Sequence, residues 1–439
     1  MRSQLLIGAA SSGSGKTTFT LGLLRALARK GLVVQPFKCG PDYIDTRHHQ
    51  MAAGRASVNL DRFMMSEKHI EEVYRRYAFP ADIAITEGVM GLFDGYDGMQ
   101  GSSAEVASAL DIPVVLIVNA KSTAYSVAPL LYGFKHFYPK VRVIGAVFNF
   151  VASENHYYYL KQACADAGVE ALGYLPKQED IIIPSRHLGL SLDSDFCFEA
   201  FADRIADLVD KHVCVDRLLE LASAPVSAHT EEAGLSHRPS GTMRISVARD
   251  AAFNFVYAEN IAYLEQLGNV TYFSPLTDKT LPPTDFLYLP GGYPELHLKT
   301  LSENQSMRDA VRAYLEKGGH ALAECGGMMY LCRSIIGQDG NTYPMAGVLD
   351  QTATMQQMKL RLGYRTLQWG EYRLAGHEFH YSSIVPAENT LPSCATAFSA
   401  LGRQVDTPLY HYRNLLAGYT HLYWADPTSN AWLHHFLEK

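Results

Sequence analysis

Gln4-Leu-Leu-Ile-Gly-Ala-Ala10-Ser-Ser-Gly13-Ser-Gly15-Lys16-Thr17-Thr18 is the stretch on which the reading of this chain turns. Gln4–Ile7 reads as a short apolar strand and Thr17–Lys30 as a helix, with a loop of small residues between them. The loop fits the phosphate-binding pattern G-x-x-x-x-G-K-[ST], with Ala10 in place of the first glycine. Small residues let backbone N–H groups curl around phosphates, with Gly13 and Gly15 making the turn. Lys16 then reaches the β- and γ-phosphates and Thr17 holds Mg²⁺. A dinucleotide fingerprint fails, because Gly13-Ser-Gly15 runs into Lys-Thr-Thr. The bland alternative, a glycine-rich turn with an exposed lysine, leaves the strand before the loop and the helix after it unexplained.

Working outward, Val33–Lys38, Ile83–Thr86, Val114–Val118 and Val143–Phe148 read as further strands. Each is nearly all apolar, without polar alternation, as in parallel strands covered on both faces. Their alternation with helical stretches predicts a doubly wound α/β domain. Pro41 and Gly40 break the second strand, so Asp42 and Asp45 fall on the loop at its carboxyl end, where ligands bind in such sheets. Strand Ile83–Thr86 delivers Glu87 to the same edge, and an acidic residue there completes the Mg²⁺ site of many phosphate-loop proteins. One loop aspartate is more often a turn-former or helix cap. Three carboxylates beside a phosphate loop are harder to set aside.

The 439 residues suggest two or three domains. Hydrophobic residues make up 47% and charged residues 19%, which excludes a disordered or collagen-like chain. The net charge of −7 argues against a general nucleic-acid partner, though a few placed basic residues can still hold an acidic substrate. No apolar run is long enough to span a membrane. The seven cysteines form no CxxC pair, and no secretion signal precedes them, so reduced thiols in the cytoplasm are expected. The strand–helix rhythm fades after residue 220, and Ser223–Met243 reads as a Ser/Ala/Pro/Gly/His-rich linker. The expected domains are therefore residues 1–222 and 244–439, joined by 223–243.

In the second half, strand His320–Ala323 leads into Glu324-Cys325-Gly326-Gly327 and a helix over Met328–Ile335. A residue between strand and helix, flanked by small residues, sits on a sharp elbow with its side chain presented for reaction. Cys325 is then a nucleophile, with a helix N-terminus behind it to favour thiolate. A lone cysteine is more often a small buried residue in a turn. Strand Asp285–Leu289 ends in Pro290-Gly291-Gly292, and consecutive glycines at a strand end expose N–H groups suited to an oxyanion hole. The base is a histidine late in the chain: His377, His380 or His421. Spacing alone does not rank them. His377-Glu-Phe-His380 is one residue short of the HExxH zinc helix, so no zinc is read there.

These motifs resemble the cobyrinic acid a,c-diamide synthase family of corrinoid biosynthesis. The stretches that carry it are SGSGKTT, PFKCGPDYID, NLDRFM, ITEGVMGLFDG, SRHLGL at Ser185–Leu190, LPGGYPEL, AECGGMMYL, GHEFHYS and GYTHLYW. The first half is also similar to dethiobiotin synthetase, and the second to class I glutamine amidotransferases, an α/β fold. The resemblance implies glutamine hydrolysis at Cys325 through a thioester, with His421 as base. It implies phosphorylation of a substrate carboxylate by ATP and displacement of phosphate by ammonia, on the a and c side chains of a corrin. It places Lys16 and Thr17 on ATP and Mg²⁺, Asp42, Asp45 and Glu87 around the metal and acyl phosphate, Lys38 near the transferred phosphoryl group, and Asn149 on adenine. Ammonia must travel unprotonated and the acyl phosphate must avoid water, so a shielded path is expected.

Two departures stand out. Ala10 replaces the first loop glycine, which the family tolerates. Class I glutaminases carry Glu two residues after the catalytic histidine, and here Tyr423 stands there. Either Cys325 and His421 act as a pair, or another acid such as Glu378 assists. The polyanionic substrate would meet local cations, for which Lys38, Arg47, Arg62 and Arg186 are candidates. Hydrogenobyrinic acid and nickel sirohydrochlorin are alternative substrates for the same chemistry. A partitioning or targeting ATPase fits less well: such proteins carry a second lysine where Ser11 stands, and lack a cysteine-elbow domain.

Overall fold

The structure is a computed structural model that describes residues 3–177, 197–223 and 241–438. The chain divides into two compact units, Met1–Leu235 and Ser236–Lys439. Most of the expected linker, together with Arg186 and the SRHLGL run, lies outside the described residues.

The first unit runs β1 (Ser3–Ala9), α1 (Lys16–Arg29), β2 (Val34–Cys39), α2 (Ile44–Ala53), β3 (Val58–Leu60), α3 (Glu67–Ala78), β4 (Ile83–Glu87), α4 (Ser103–Ala109), β5 (Val114–Asn119), α5 (Val127–His136), β6 (Val143–Val151), α6 (Glu154–Ala167), β7 (Glu170–Pro176), α7 (Phe198–His212) and α8 (Val215–Ala222). Its seven strands are ordered β3-β2-β4-β1-β5-β6-β7, and every neighbouring pair is parallel. The order reverses direction around β1, so the crevice at its carboxyl end is where a ligand is expected. Leu5, Leu6 and Ile7 are all fully buried, as the unbroken apolar run requires of a strand covered on both faces. One face packs on α1, α7 and α8 through Phe19, Leu23, Leu27, Ile205, Val209 and Leu218. Serines 66, 102 and 153 cap α3, α4 and α6 by accepting the backbone N–H of the third residue of each helix. The short strand β3 and the edge strand β7 escaped the sequence reading, being brief or interrupted by glycine.

The second unit opens with β8 (Met243–Ala248), α9 (Ala258–Leu267), β9 (Gly268–Phe273), β10 (Phe286–Leu289), α10 (Leu298–Glu303), α11 (Gln305–Glu316), β11 (His320–Glu324) and α12 (Gly326–Leu331). A six-stranded sheet places the strands Leu409–Tyr412 and Leu415–Gly418 beside β11, then β10, β8 and β9. All of its pairs are parallel except the hairpin formed by its last two strands in sequence. Sheets of four and five strands follow, the latter holding Tyr372–His380 and, at its edge, His421–Leu422. The unit is α/β, as expected, with one correction. The helix expected over Met328–Ile335 ends at Leu331, and Cys332–Ile336 is a strand paired with Leu349–Thr354. Ile335 and Ile336 are β-branched, and pairing at that strand outweighs continued helix.

Candidate active sites

The phosphate loop joins β1 to α1, and Gly13 and Gly15 hold the left-handed φ values of +75° and +96° that its turn needs. A side chain at Gly15 would also collide with Asn149, whose Nδ2 lies 1.9 Å from where a Cβ would stand. Asn149, near the carboxyl end of β6, donates that Nδ2 to the Ser14 carbonyl at 3.1 Å. In this arrangement Asn149 braces the loop. Lys16 is buried, and its ammonium donates to the Met90 carbonyl at 2.5 Å. Burial lowers its pKa against the pull of Glu87.

Beside the loop lies a buried charge cluster. Thr17 Oγ1 donates to Glu87 Oε1 at 2.6 Å. Lys38 Nζ sits 3.5 Å from the same oxygen and 3.4 Å from Asp45 Oδ2, and donates to the Gly88 carbonyl at 3.0 Å. β2 and β4 pair in a register that sets Lys38 opposite Glu87. Burial would lower the Lys38 pKa, but Glu87, Asp45 and Asp42 outweigh it and push it up. Burial would raise Glu87, but the Lys38 ammonium and a hydrogen bond from His49 hold it below its usual value. Both partners are therefore charged.

Two residues have partners that the sequence did not reveal. Asp42 caps α2: its Oδ1 accepts the N–H groups of Ile44 and Asp45 at 2.9 and 2.8 Å. It acts on Lys38 through its charge, while Glu87 and Asp45 make the close contacts. Asp42→Ala should therefore lower stability by about 1 kcal/mol through the lost cap, read by urea denaturation. Asp42→Asn should leave stability within a few tenths of a kcal/mol, since Asn caps as well. Any activity lost by the Asn variant then reports the charge. Arg62 is the second: it pairs with Glu105 at 3.4 Å and Glu67 at 3.3 Å. Arg47 is exposed on α2.

Sequence reasoning missed His49. It is fully buried on α2, one turn beyond Asp45, with Nε2 2.7 Å from Glu87 Oε2 and Nδ1 3.2 Å from Ser57 Oγ. The sequence signal was a histidine at helical spacing from Asp45. The oxygens of Thr17, Glu87 and Asp45 suit Mg²⁺, which takes one or two carboxylates and completes its shell with phosphates and water. Among the described residues no group of three or more His, Cys, Asp or Glu is arranged as a self-sufficient metal site.

In the second unit Cys325 stands between β11 and α12 with φ +46° and ψ −106°. For a residue with a Cβ this backbone costs about 1–3 kcal/mol, and such strain clusters at functional sites. The Cys325 N–H donates to the Gly418 carbonyl at 2.7 Å. Phe255, Gly292, Glu295, Cys325, Phe379 and His380 line one pocket. A Cβ on Gly291 would lie 2.1 Å from His421 Cε1, so the glycine loop and the histidine are in direct contact. Burial pushes the Cys325 thiol far up, with the nearby Glu295 adding to the effect. Burial of the thiol works against the thiolate that a helix N-terminus favours, and α12 has only six residues. Burial likewise takes His421 down to about 3, with His377 and His380 adding to the fall.

His377 and His380 lie on a strand, not a helix. His377 is paired in register with His421, and Tyr364 packs edge-on against it. His380 stacks on Tyr419 at 3.6 Å and contacts Glu378 at 3.1 Å. Glu378 also meets Arg365 at 2.5 Å and accepts from Thr407. Tyr423, where other glutaminases place Glu, is buried with its ring edge against Tyr257.

Comparison with known proteins adds the family. Residues 5–190 match the CobQ/CobB/MinD/ParA nucleotide binding domain, and residues 244–428 the CobB/CobQ-like glutamine amidotransferase domain. Relatives named cobyrinate a,c-diamide synthase include one from Listeria innocua, 38% identical over 96% of both chains. Another from Priestia megaterium is 37% identical over 97% of this chain and 95% of its own. A third, from Salmonella typhimurium, is 37% identical over 96% and 95%. With identity of this level sustained across both units, the chain belongs to the cobyrinate a,c-diamide synthase family, glutamine amidotransferases of the ligase class.

Proposed function

We propose that this enzyme amidates the a and c carboxylates of cobyrinic acid, using ATP and glutamine. The observation that carries the reading is the buried cluster of Thr17, Lys38, Asp45 and Glu87 on a phosphate loop, in a chain that also holds a strained cysteine elbow. A carboxylate is a poor acyl donor, since its charge repels nucleophiles and oxide leaves badly. A carboxylate oxygen of the substrate attacks the γ-phosphorus of ATP, ADP departs, and an acyl phosphate forms. Lys16 and Lys38 offset the charge on the transferred group. Thr17, Asp45 and Glu87 would hold Mg²⁺, which when bound neutralises phosphate charge. Asn149 is the proposed adenine contact.

In the second unit Cys325 Sγ attacks the side-chain carbonyl of glutamine while His421 takes its proton. The amide nitrogen leaves as ammonia with that proton, and water then cleaves the thioester to glutamate. N–H groups of the Gly291–Gly292 loop stabilise the oxyanion. Ammonia attacks the acyl phosphate, phosphate leaves, and the amide remains. Seven unpaired cysteines support placement in a reducing cytoplasm.

The test is a panel of tetrapyrrole carboxylates incubated with ATP and glutamine, reading the mass change of each amide. Cobyrinic acid should yield a diamide; turnover only of hydrogenobyrinic acid or nickel sirohydrochlorin would redirect the assignment. Binding of the polyanion should weaken as salt rises from about 0.05 to 0.5 M, because exposed charge pairs are screened. Salt-independent binding counts against cationic recognition by Arg47 and its neighbours.

A further inference from the structure

The residue just before the nucleophile has a role that no motif above assigns. Glu324 ends β11, and its carboxylate is almost completely buried. Its Oε1 accepts the backbone N–H of Leu422 at 2.9 Å, and its Oε2 accepts the hydroxyl of Tyr288 at 2.7 Å. Leu422 directly follows His421. Glu324 thus carries Cys325 on its own backbone and grips, by its side chain, the peptide unit that carries His421.

The surroundings make this grip rigid. Asn260, fully buried on α9, donates to the Leu422 carbonyl at 2.9 Å and accepts the Trp424 N–H at 3.0 Å. Leu422 is therefore held at both its N–H and its C=O by side chains from two other elements. Tyr288 stands on β10, next to β11 in the sheet, and packs edge-on against Trp424 at 5.0 Å. On the nucleophile side, Glu324 pairs with Gly418 in parallel register, and Cys325 N–H bonds to the carbonyl of that glycine. Only Tyr419 and Thr420 separate this anchor from His421. A buried carboxyl is expensive to maintain, and burial raises this one to about 8. A neutral side chain of the same shape would meet the same partners.

We propose that Glu324 is a positioning residue for glutamine hydrolysis, tying the Leu422 backbone to the Cys325 elbow and so setting His421 against the thiol. It serves the geometric purpose for which a carboxylate two residues after the histidine is used elsewhere, and it does so through the main chain. The proposal rests on the reading of Cys325 and His421 as nucleophile and base.

The experiment compares Glu324→Ala, Glu324→Gln, Cys325→Ala and His421→Ala in the full-length enzyme. Each is assayed for glutamine hydrolysis and for amidation with free ammonia. Glu324→Ala should lose about a hundredfold in kcat for glutamine hydrolysis, the scale of a misplacement near 1 Å. KM for glutamine should stay within about threefold, because the pocket wall is untouched. Amidation with ammonia should be unchanged, which also shows that the chain folds. Glu324→Gln keeps an acceptor for the Leu422 N–H and turns its amide NH₂ to the Tyr288 oxygen, so it should stay within about fivefold of the parent. Placing Glu324→Ala on His421→Ala should cost less than about threefold more, since a residue acting through His421 has little left to lose. A general structural role would instead lower that background again, and this result overturns the proposal. So does a Glu324→Ala enzyme with unchanged glutamine kcat, or a Glu324→Gln enzyme as poor as the alanine variant. If Cys325→Ala still hydrolyses glutamine, the nucleophile reading fails and takes this proposal with it. With Cys325→Ala inactive, an unaffected Glu324→Ala overturns the positioning role alone.

Discussion

Replacing Cys325 with alanine is expected to cut glutamine-dependent amidation by at least about a thousandfold, while amidation supplied with concentrated free ammonia continues. The thiol is the atom that forms the thioester, and nothing in the ATP half requires it. His421→Ala should show the same split with a loss of about a hundredfold to ten-thousandfold, the range for a general base. His377→Ala should stay within about tenfold: it neighbours the base across the strand pair, whereas it is the His421 imidazole that sits against Gly291. The resting site adds a sharper expectation. Burial pushes the thiol up and the imidazole down, which favours the neutral form of each before glutamine arrives. Cys325 should therefore alkylate slowly with iodoacetamide at pH 7, and faster with a glutamine-shaped electrophile that fills the pocket. Rapid labelling by both reagents would contradict the buried neutral pair. A Cys325→Ala enzyme that still uses glutamine would move the nucleophile elsewhere.

Glu87→Gln should lower ATP-dependent amidation by about a hundredfold to a thousandfold and leave glutamine hydrolysis intact. The substitution keeps the shape and removes one negative charge. Glu87 is the shared partner of Thr17, Lys38 and His49, so one change disturbs three contacts. In the variant Lys38 retains Asp45 at 3.4 Å as its close carboxylate. The apparent Mg²⁺ requirement should rise, because a carboxamide is a weaker ligand for a hard cation than a carboxylate. The measurement is formation of ADP and amide against magnesium concentration, with glutamate release followed in parallel. Full amidation by this variant would refute the role given to Glu87. Loss of both half-reactions would show that the substitution disturbs folding.

Much of the fold was legible because it rests on local signals. The apolar run before the phosphate loop, the Gly-Lys-Thr turn and the helix after it are each dictated by residues within a few positions. β2, β4, β5 and β6 were readable for the same reason, since strands buried on both faces carry no polar alternation. The helix after Cys325 was extended too far, because Met328–Ile335 suits either structure and strand pairing with Leu349–Thr354 decides it. In the first site the carboxylates were found from their place at strand ends, but their division of labour was not. Asp42 and Asp45 look alike in sequence, and only the helix start at Ile44 turns the first into a cap.

Left to itself, then, the chain's order of residues determined the two α/β units, the phosphate loop at the end of β1 and the cysteine elbow at the end of β11. These are matters of periodicity, turn chemistry and steric allowance over short spans. Tertiary structure alone decided that His49 meets Glu87, that Arg62 pairs with Glu67 and Glu105, and that Glu324 reaches Leu422 across 98 positions of chain. Such contacts depend on strand order and register. Burial then converts them into chemistry: it holds Lys38 and Glu87 as a charged pair because each has the other, and pushes Cys325 and His421 toward their neutral forms because the loss of water is the largest influence on each.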